Sequence, residues 1–171
     1  MIQTFINQYQ ELPSIINSGF NVLEGRESIF GHSMGGHGAL YLALQNPQTF
    51  QIAGSMSGGV DLRPFAENWD LPMRLGEIEN HPQNWENNSV VVLAERAQPE
   101  GYKLIIDCGT EDFFLEVNRN LEAKLNELGY DYEYSERKGA HNWPYWRVSI
   151  VRHLEFFKKE CLDKSATLLR F

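Results

Sequence analysis

Gly31-His32-Ser33-Met34-Gly35 is the part of the chain best suited to covalent chemistry. It matches the Gly-x-Ser-x-Gly elbow, in which a serine is held on a tight turn between a strand and a helix. The context fits. Ser28 to Gly31 is a short apolar segment that reads as a buried strand. Ala39, Leu40, Leu42, Ala43 and Leu44 then make a helix that Asn46-Pro47 stops. Side chains two residues before and after the serine would collide with neighbouring backbone, so glycine is expected at 31 and 35. The turn lifts Ser33 Oγ above the strand ends. It also leaves the serine at a helix N-terminus, where unpaired N–H groups favour developing negative charge. Met34 should supply one such group to an oxyanion through its backbone N–H. The plainer reading is a glycine-rich turn with an incidental serine, and the flanking elements weigh against it.

A serine hydroxyl is a weak nucleophile, so it needs a base, and the base needs an orienting acid. In parallel sheets such groups sit on loops at the carboxyl ends of strands. With this elbow the chain order is serine, acid, histidine. Glu111 and Asp112 follow the segment Tyr102 to Asp107, which reads as a strand, and both are candidates for the acid. Asp112 could equally cap the helix that begins there. Asp107 lies inside the strand and should point elsewhere. His141 is the histidine on a loop after a predicted strand. His32 sits beside the nucleophile and reads as a wall of the site, as does Trp143, two residues from His141. His37 falls in the first turn after the elbow, His81 in an irregular stretch and His153 in mid-helix.

The remaining elements follow from apolar spacing. Phe5, Ile6, Tyr9, Leu12, Ile15 and Ile16 predict an amphipathic helix over 3–17, interrupted by Pro13. Gln51 to Ser57 reads as a second strand. Residues 60–100, with four prolines, read as an irregular excursion over the active-site face, with a short helix at 89–97. Val117, Leu121, Leu125 and Leu128 predict a helix closed by Gly129. Tyr130 to Ser135 alternates tyrosines with polar residues, as a strand with one polar face would. Pro144 suits a first helical turn, and Ile150, Val151, Leu154 and Phe157 are the expected buried face of the final helix. From Lys158 the chain reads as a helix end and a mobile tail. Strands and helices alternate, as in a parallel sheet covered on both faces.

Composition narrows the function classes. The 171 residues are 42% hydrophobic and 22% charged, within the range of one domain with a sizeable core. Net charge is −8, with acids and bases interspersed. No basic stripe invites nucleic acid, and no apolar run suits a membrane span. Cys108 and Cys161 cannot build a disulfide framework, and no metal-ligand spacing or cofactor fingerprint stands out. The first residues lack the basic and apolar regions of a signal peptide, and the compartment stays open.

Gly31-His32-Ser33-Met34-Gly35-Gly36-His37-Gly38-Ala39-Leu40 resembles the elbow of the esterase D family of α/β-hydrolases. That family includes S-formylglutathione hydrolases, tributyrin esterases, feruloyl and acetyl-xylan esterases, and mycolyltransferases. Asp107 to Phe113 resembles its acid loop. Gly139 to Trp146 resembles its histidine loop, in the tributyrin and carbohydrate-esterase form. The resemblance implies a three-layer α/β sandwich with a parallel sheet. It implies a triad of Ser33, Asp112 and His141, with Met34 as oxyanion donor and no cofactor. It also implies a serine carboxylesterase acting on small short-acyl esters, sugar-linked ones included, or else a thioesterase for S-formylglutathione. Family members carry four further strands and a helix ahead of the first helix here, including the second oxyanion donor. The chain therefore reads as the C-terminal portion of the fold. Its 28–31 strand is expected to be an open apolar edge, through which a non-catalytic fragment could associate with a second copy.

Overall fold

The computed structural model describes residues 11, 13–22 and 27–168. Most of the helix expected over 3–17 lies outside the described residues, and 13–19 are helical. Four parallel strands form the sheet: β1 (Ser28–His32), β2 (Ile52–Met56), β3 (Lys103–Gly109) and β4 (Tyr132–Arg137), in the spatial order β1-β2-β3-β4. From Met34 onward the helices among the described residues are α1 (Met34–Gln45), α2 (Leu71–Leu75), α3 (Pro82–Asn87), α4 (Val90–Arg96), α5 (Leu115–Leu128) and α6 (Trp143–Leu168).

Side-chain alternation along the strands splits the core in two. Ala53, Leu104 and Ile106 face α1, α4 and α5, where Leu40, Leu93, Val117, Leu121 and Leu125 complete the larger cluster. Ile52 and Ile105 face the other way, onto Phe156 and Phe157 of α6. The result is the three-layer α/β sandwich expected. Among the described residues β1 is an edge of the sheet, and Phe30 on it is 39% exposed.

Several boundaries differ from the sequence reading, each for a local reason. β4 starts at Tyr132 rather than Tyr130, because Gly129 and Tyr130 close the end of α5. Gly129 is left-handed at φ 77°, and the Tyr130 N–H donates to Leu125 O at 3.0 Å. β3 runs on to Gly109, paired with Arg137, so the acid loop begins later. Residues 60–100 are more regular than their prolines suggest. They contain α2, α3, α4 and a 3₁₀ turn (Arg63–Phe65), and Leu62, Leu71, Leu75 and Trp85 give them a small core of their own. Pro64, Pro72 and Pro82 stand in first turns, where no N–H is needed, and Pro99 lies in the loop after α4. α6 does not end near Lys158 but continues to Leu168, through a stretch free of glycine and proline. Its inner face differs in part from the expectation: Phe157 is buried and Ile150 half-buried, as expected. Val151 and Leu154 are exposed, while Tyr145, Ser149, His153 and Phe156 point inward. The inner stripe carries polar residues because Asp107 and Arg137 meet it.

Burial holds His37 and His153 far from their ordinary range, both lowered to about 4. His37 is 8% exposed, and its Nε2 lies 2.9 Å from Asn88 O. A histidine kept neutral in the folded state stabilises fully above its unfolded value of about 6.5. That contribution falls as acidification protonates the unfolded chain first, and levels off near pH 4. Urea unfolding between pH 7.5 and 4.5 is therefore expected to show declining stability. His37→Gln should flatten the slope, and an identical slope in that variant would refute the assignment.

Candidate active site

Ser33 links β1 to α1 with φ 54° and ψ −125°, a conformation that L-residues rarely adopt. Such strain persists only where the surroundings over-determine it. Here the Ser33 N–H donates to Met56 O at 2.9 Å, and Ser33 O accepts from the His37 N–H at 3.1 Å. Gly31 is required by contact, since a Cβ there would lie 2.5 Å from Gly35 C. The reciprocal expectation for Gly35 fails, because a Cβ at 35 would meet nothing within 4 Å. The second tight glycine is Gly36, where a Cβ would sit 2.6 Å from Ser55 Oγ. The Met34 N–H occupies the first position of α1 and has no intrahelical acceptor.

Asp112 lies on the loop between β3 and α5 and is 6% exposed. Its Oδ1 accepts the Phe114 N–H at 2.9 Å, and its own N–H donates to Gly109 O at 3.1 Å. Asp112 thus closes the turn ahead of α5 and does not cap that helix, whose N-cap position is Phe114. Glu111 is exposed to solvent. Asp107 points to the opposite face of β3, 3.6 Å from Arg137 Nη2.

His141 stands between the two. Its Nδ1 lies 2.9 Å from Asp112 Oδ2 and 3.1 Å from Oδ1, and its Nε2 lies 2.9 Å from Ser33 Oγ. Carboxylate oxygens accept, so Nδ1 carries the proton and Nε2 presents its lone pair to the Ser33 hydroxyl. The three residues, 108 positions apart at the extremes, thus meet in the order an acyl-transfer relay needs.

Aromatic rings surround the imidazole. Phe113, Trp146 and Phe114 have centroids 4.5, 4.9 and 5.3 Å from that of His141. His32 packs against Trp146 at 4.6 Å and Trp143 at 5.1 Å, so both expected wall residues belong to one aromatic cluster that reaches His141 through Trp146. Trp69, which packs on Phe113 and Phe114, is not singled out by the sequence as part of the site, nor is Phe113. Their rings are 6.2 Å apart and more than half exposed. Trp69 holds a left-handed φ of 53°. Adjacency to Asp112 could have pointed to Phe113, whereas nothing local to Trp69 marks it. Among the described residues no cluster of His, Cys, Asp and Glu could hold a metal ion, and no helix is long and apolar enough to cross a membrane.

A parallel sheet with a strained serine after one strand, and an acid and a histidine on loops after later strands, is the α/β-hydrolase arrangement. The comparisons narrow this class. The family model "Putative esterase" matches residues 2–157, and the chain belongs to that esterase family. S-formylglutathione hydrolase of Bos taurus is 36% identical over 140 residues, covering 73% of this chain and 49% of that protein. The chain spans about half the length of the curated relatives it matches. Among solved structures, an S-formylglutathione hydrolase of Agrobacterium tumefaciens superposes with a TM-score of 0.69 at 28% identity, covering 90% of this chain and 56% of that one. One from Staphylococcus aureus gives 0.74 at 24% identity, covering 86% and 61%, a likeness of fold.

Proposed function

We propose that the chain carries the catalytic residues of a serine carboxylesterase acting on small short-acyl esters, sugar-linked ones included. The continuous contact from Ser33 Oγ through His141 to Asp112, at 2.9 Å on each side of the imidazole, carries this reading. Ser33 Oγ attacks the ester carbonyl as His141 Nε2 takes its proton. The oxyanion gathers at the Met34 N–H. His141 then gives the proton to the departing alcohol, and an acyl-Ser33 ester remains. Water, deprotonated by the same imidazole, releases the acid. Asp112 holds the tautomer and stabilises the imidazolium. The names of the relatives favour a second reading within the same chemistry, hydrolysis of the thioester S-formylglutathione.

A fluorophosphonate probe tests the proposal. Ser33 should be labelled, and Ser33→Ala should abolish labelling and lower p-nitrophenyl acetate hydrolysis by about 10³-fold or more. Equal labelling of both proteins, or of neither, overturns the proposal and leaves the non-catalytic reading. The ratio of kcat/KM for aryl acetate and for S-formylglutathione then separates the two substrate classes.

A further inference from the structure

We infer that Arg137 is a positioning residue for His141, clamping both ends of the loop that carries it. This rests on the relay proposed above. The loop spans 138–142, between β4 and α6, with His141 four residues after Arg137 and four before Tyr145. At the first end the main chain does the fastening. Arg137 O accepts the Thr110 N–H at 2.9 Å, and Gly139 O accepts the Glu111 N–H at 2.9 Å, tying the histidine loop to the acid loop. The two loops touch so closely that a Cβ on Gly109 would lie 2.2 Å from Gly139 O.

At the second end the side chain takes over. Arg137 Nη2 donates to Ser149 Oγ at 2.6 Å and to Tyr145 O at 3.4 Å, both on α6. The guanidinium carbon stands 4.1 Å over the Tyr145 ring. The same Nη2 is 3.6 Å from Oδ2 of Asp107, a carboxylate 2% exposed on the neighbouring strand. The polar contacts converge on one nitrogen while the planar guanidinium stacks on the ring, and a compact ammonium lacks that stacking face. The Tyr145 ring in turn backs Gly139, where a Cβ would come within 2.6 Å of Cδ2. One side chain thus sets the distance between the loop's two ends, and with it where the imidazole stands between Ser33 and Asp112.

Arg137→Ala tests this by chemical rescue. The side chain is 26% accessible, so a small cation can enter the space vacated. The variant should lose about 10²-fold in kcat on p-nitrophenyl acetate with KM within about twofold, as expected when a catalytic group is misplaced by an ångström. Millimolar guanidinium should restore at least a tenth of the lost rate. Independently of turnover, the downfield proton between His141 Nδ1 and Asp112, assigned by its loss in Asp112→Asn, should vanish in Arg137→Ala and return with guanidinium. Arg137→Lys keeps the charge facing Asp107 and guards against a folding failure. It should lose kcat and weaken the same resonance, without rescue. A raised KM at unchanged kcat, a folded alanine variant that guanidinium does not restore, or an unaltered downfield proton in either variant would overturn the assignment. If the wild type does not turn over at all, the relay proposal fails, and the proton resonance alone still decides the role of Arg137.

Discussion

Asp112→Asn is expected to lower kcat on p-nitrophenyl acetate by about 10⁴-fold, the scale seen when a triad acid is neutralised in place. The geometry explains why so small a change should cost so much. The amide oxygen can keep the Oδ1 position and still accept the Phe114 N–H, so the turn ahead of α5 survives. The amide nitrogen then stands where Oδ2 stood, 2.9 Å from His141 Nδ1. That nitrogen only donates, so Nδ1 must accept and the ring proton moves to Nε2. The imidazole then presents a proton to Ser33 Oγ instead of a lone pair, and the base is lost with little change of shape. Thermal unfolding should stay near wild type while kcat falls. A loss below tenfold would remove Asp112 from the relay.

Gly31→Ala carries the largest expected effect on stability. The added methyl would lie 2.5 Å from Gly35 C, 2.6 Å from Gly35 O and 3.0 Å from Gly35 Cα. These are backbone atoms at the start of α1 and cannot swing aside as a side chain end would. Overpacking of this kind costs about 3 kcal/mol. It should also shift Ser33 and suppress fluorophosphonate labelling. Gly35→Ala is the control. It lies in the same motif, in the first turn of α1, but faces open space, so it should leave stability unchanged or raise it by about 0.5–1 kcal/mol, as alanine replaces glycine in a helix. Urea midpoints measure both, and equal losses at the two positions would contradict the contact argument.

Much of the arrangement was legible in the sequence because it is written in local patterns. The apolar strand before Ser33, the helix after it and the stop at Asn46-Pro47 mark the elbow without reference to the rest of the chain. The positions of Asp112 and His141 follow from strand ends, which apolar runs reveal. Choosing Asp112 over Glu111 needed the family resemblance, since neighbouring carboxylates on a loop look alike until the turn at Gly109 buries one and exposes the other. The inner face of α6 was illegible for a different reason. Hydrophobic spacing selects Val151 and Leu154, but Ser149 and His153 turn inward to meet Asp107 and Arg137, whose alignment depends on strand register. Trp69 was hidden because its approach to Phe113 joins the 60–100 segment to the acid loop, a pairing that no short-range pattern encodes.

Ser33 owes its place to main-chain atoms: the bond its N–H donates to Met56 O, the first turn of α1 and the contact of Gly31 with Gly35. The rings around it come from separate segments, with Trp69 ahead of α2, Phe113 on the acid loop, and Trp143 and Trp146 at the start of α6. On the proposed function, the attacking oxygen and the rim that would choose the ester thus depend on different parts of the chain. Substitutions in the rim would then change which esters are accepted while the attacking oxygen keeps its address.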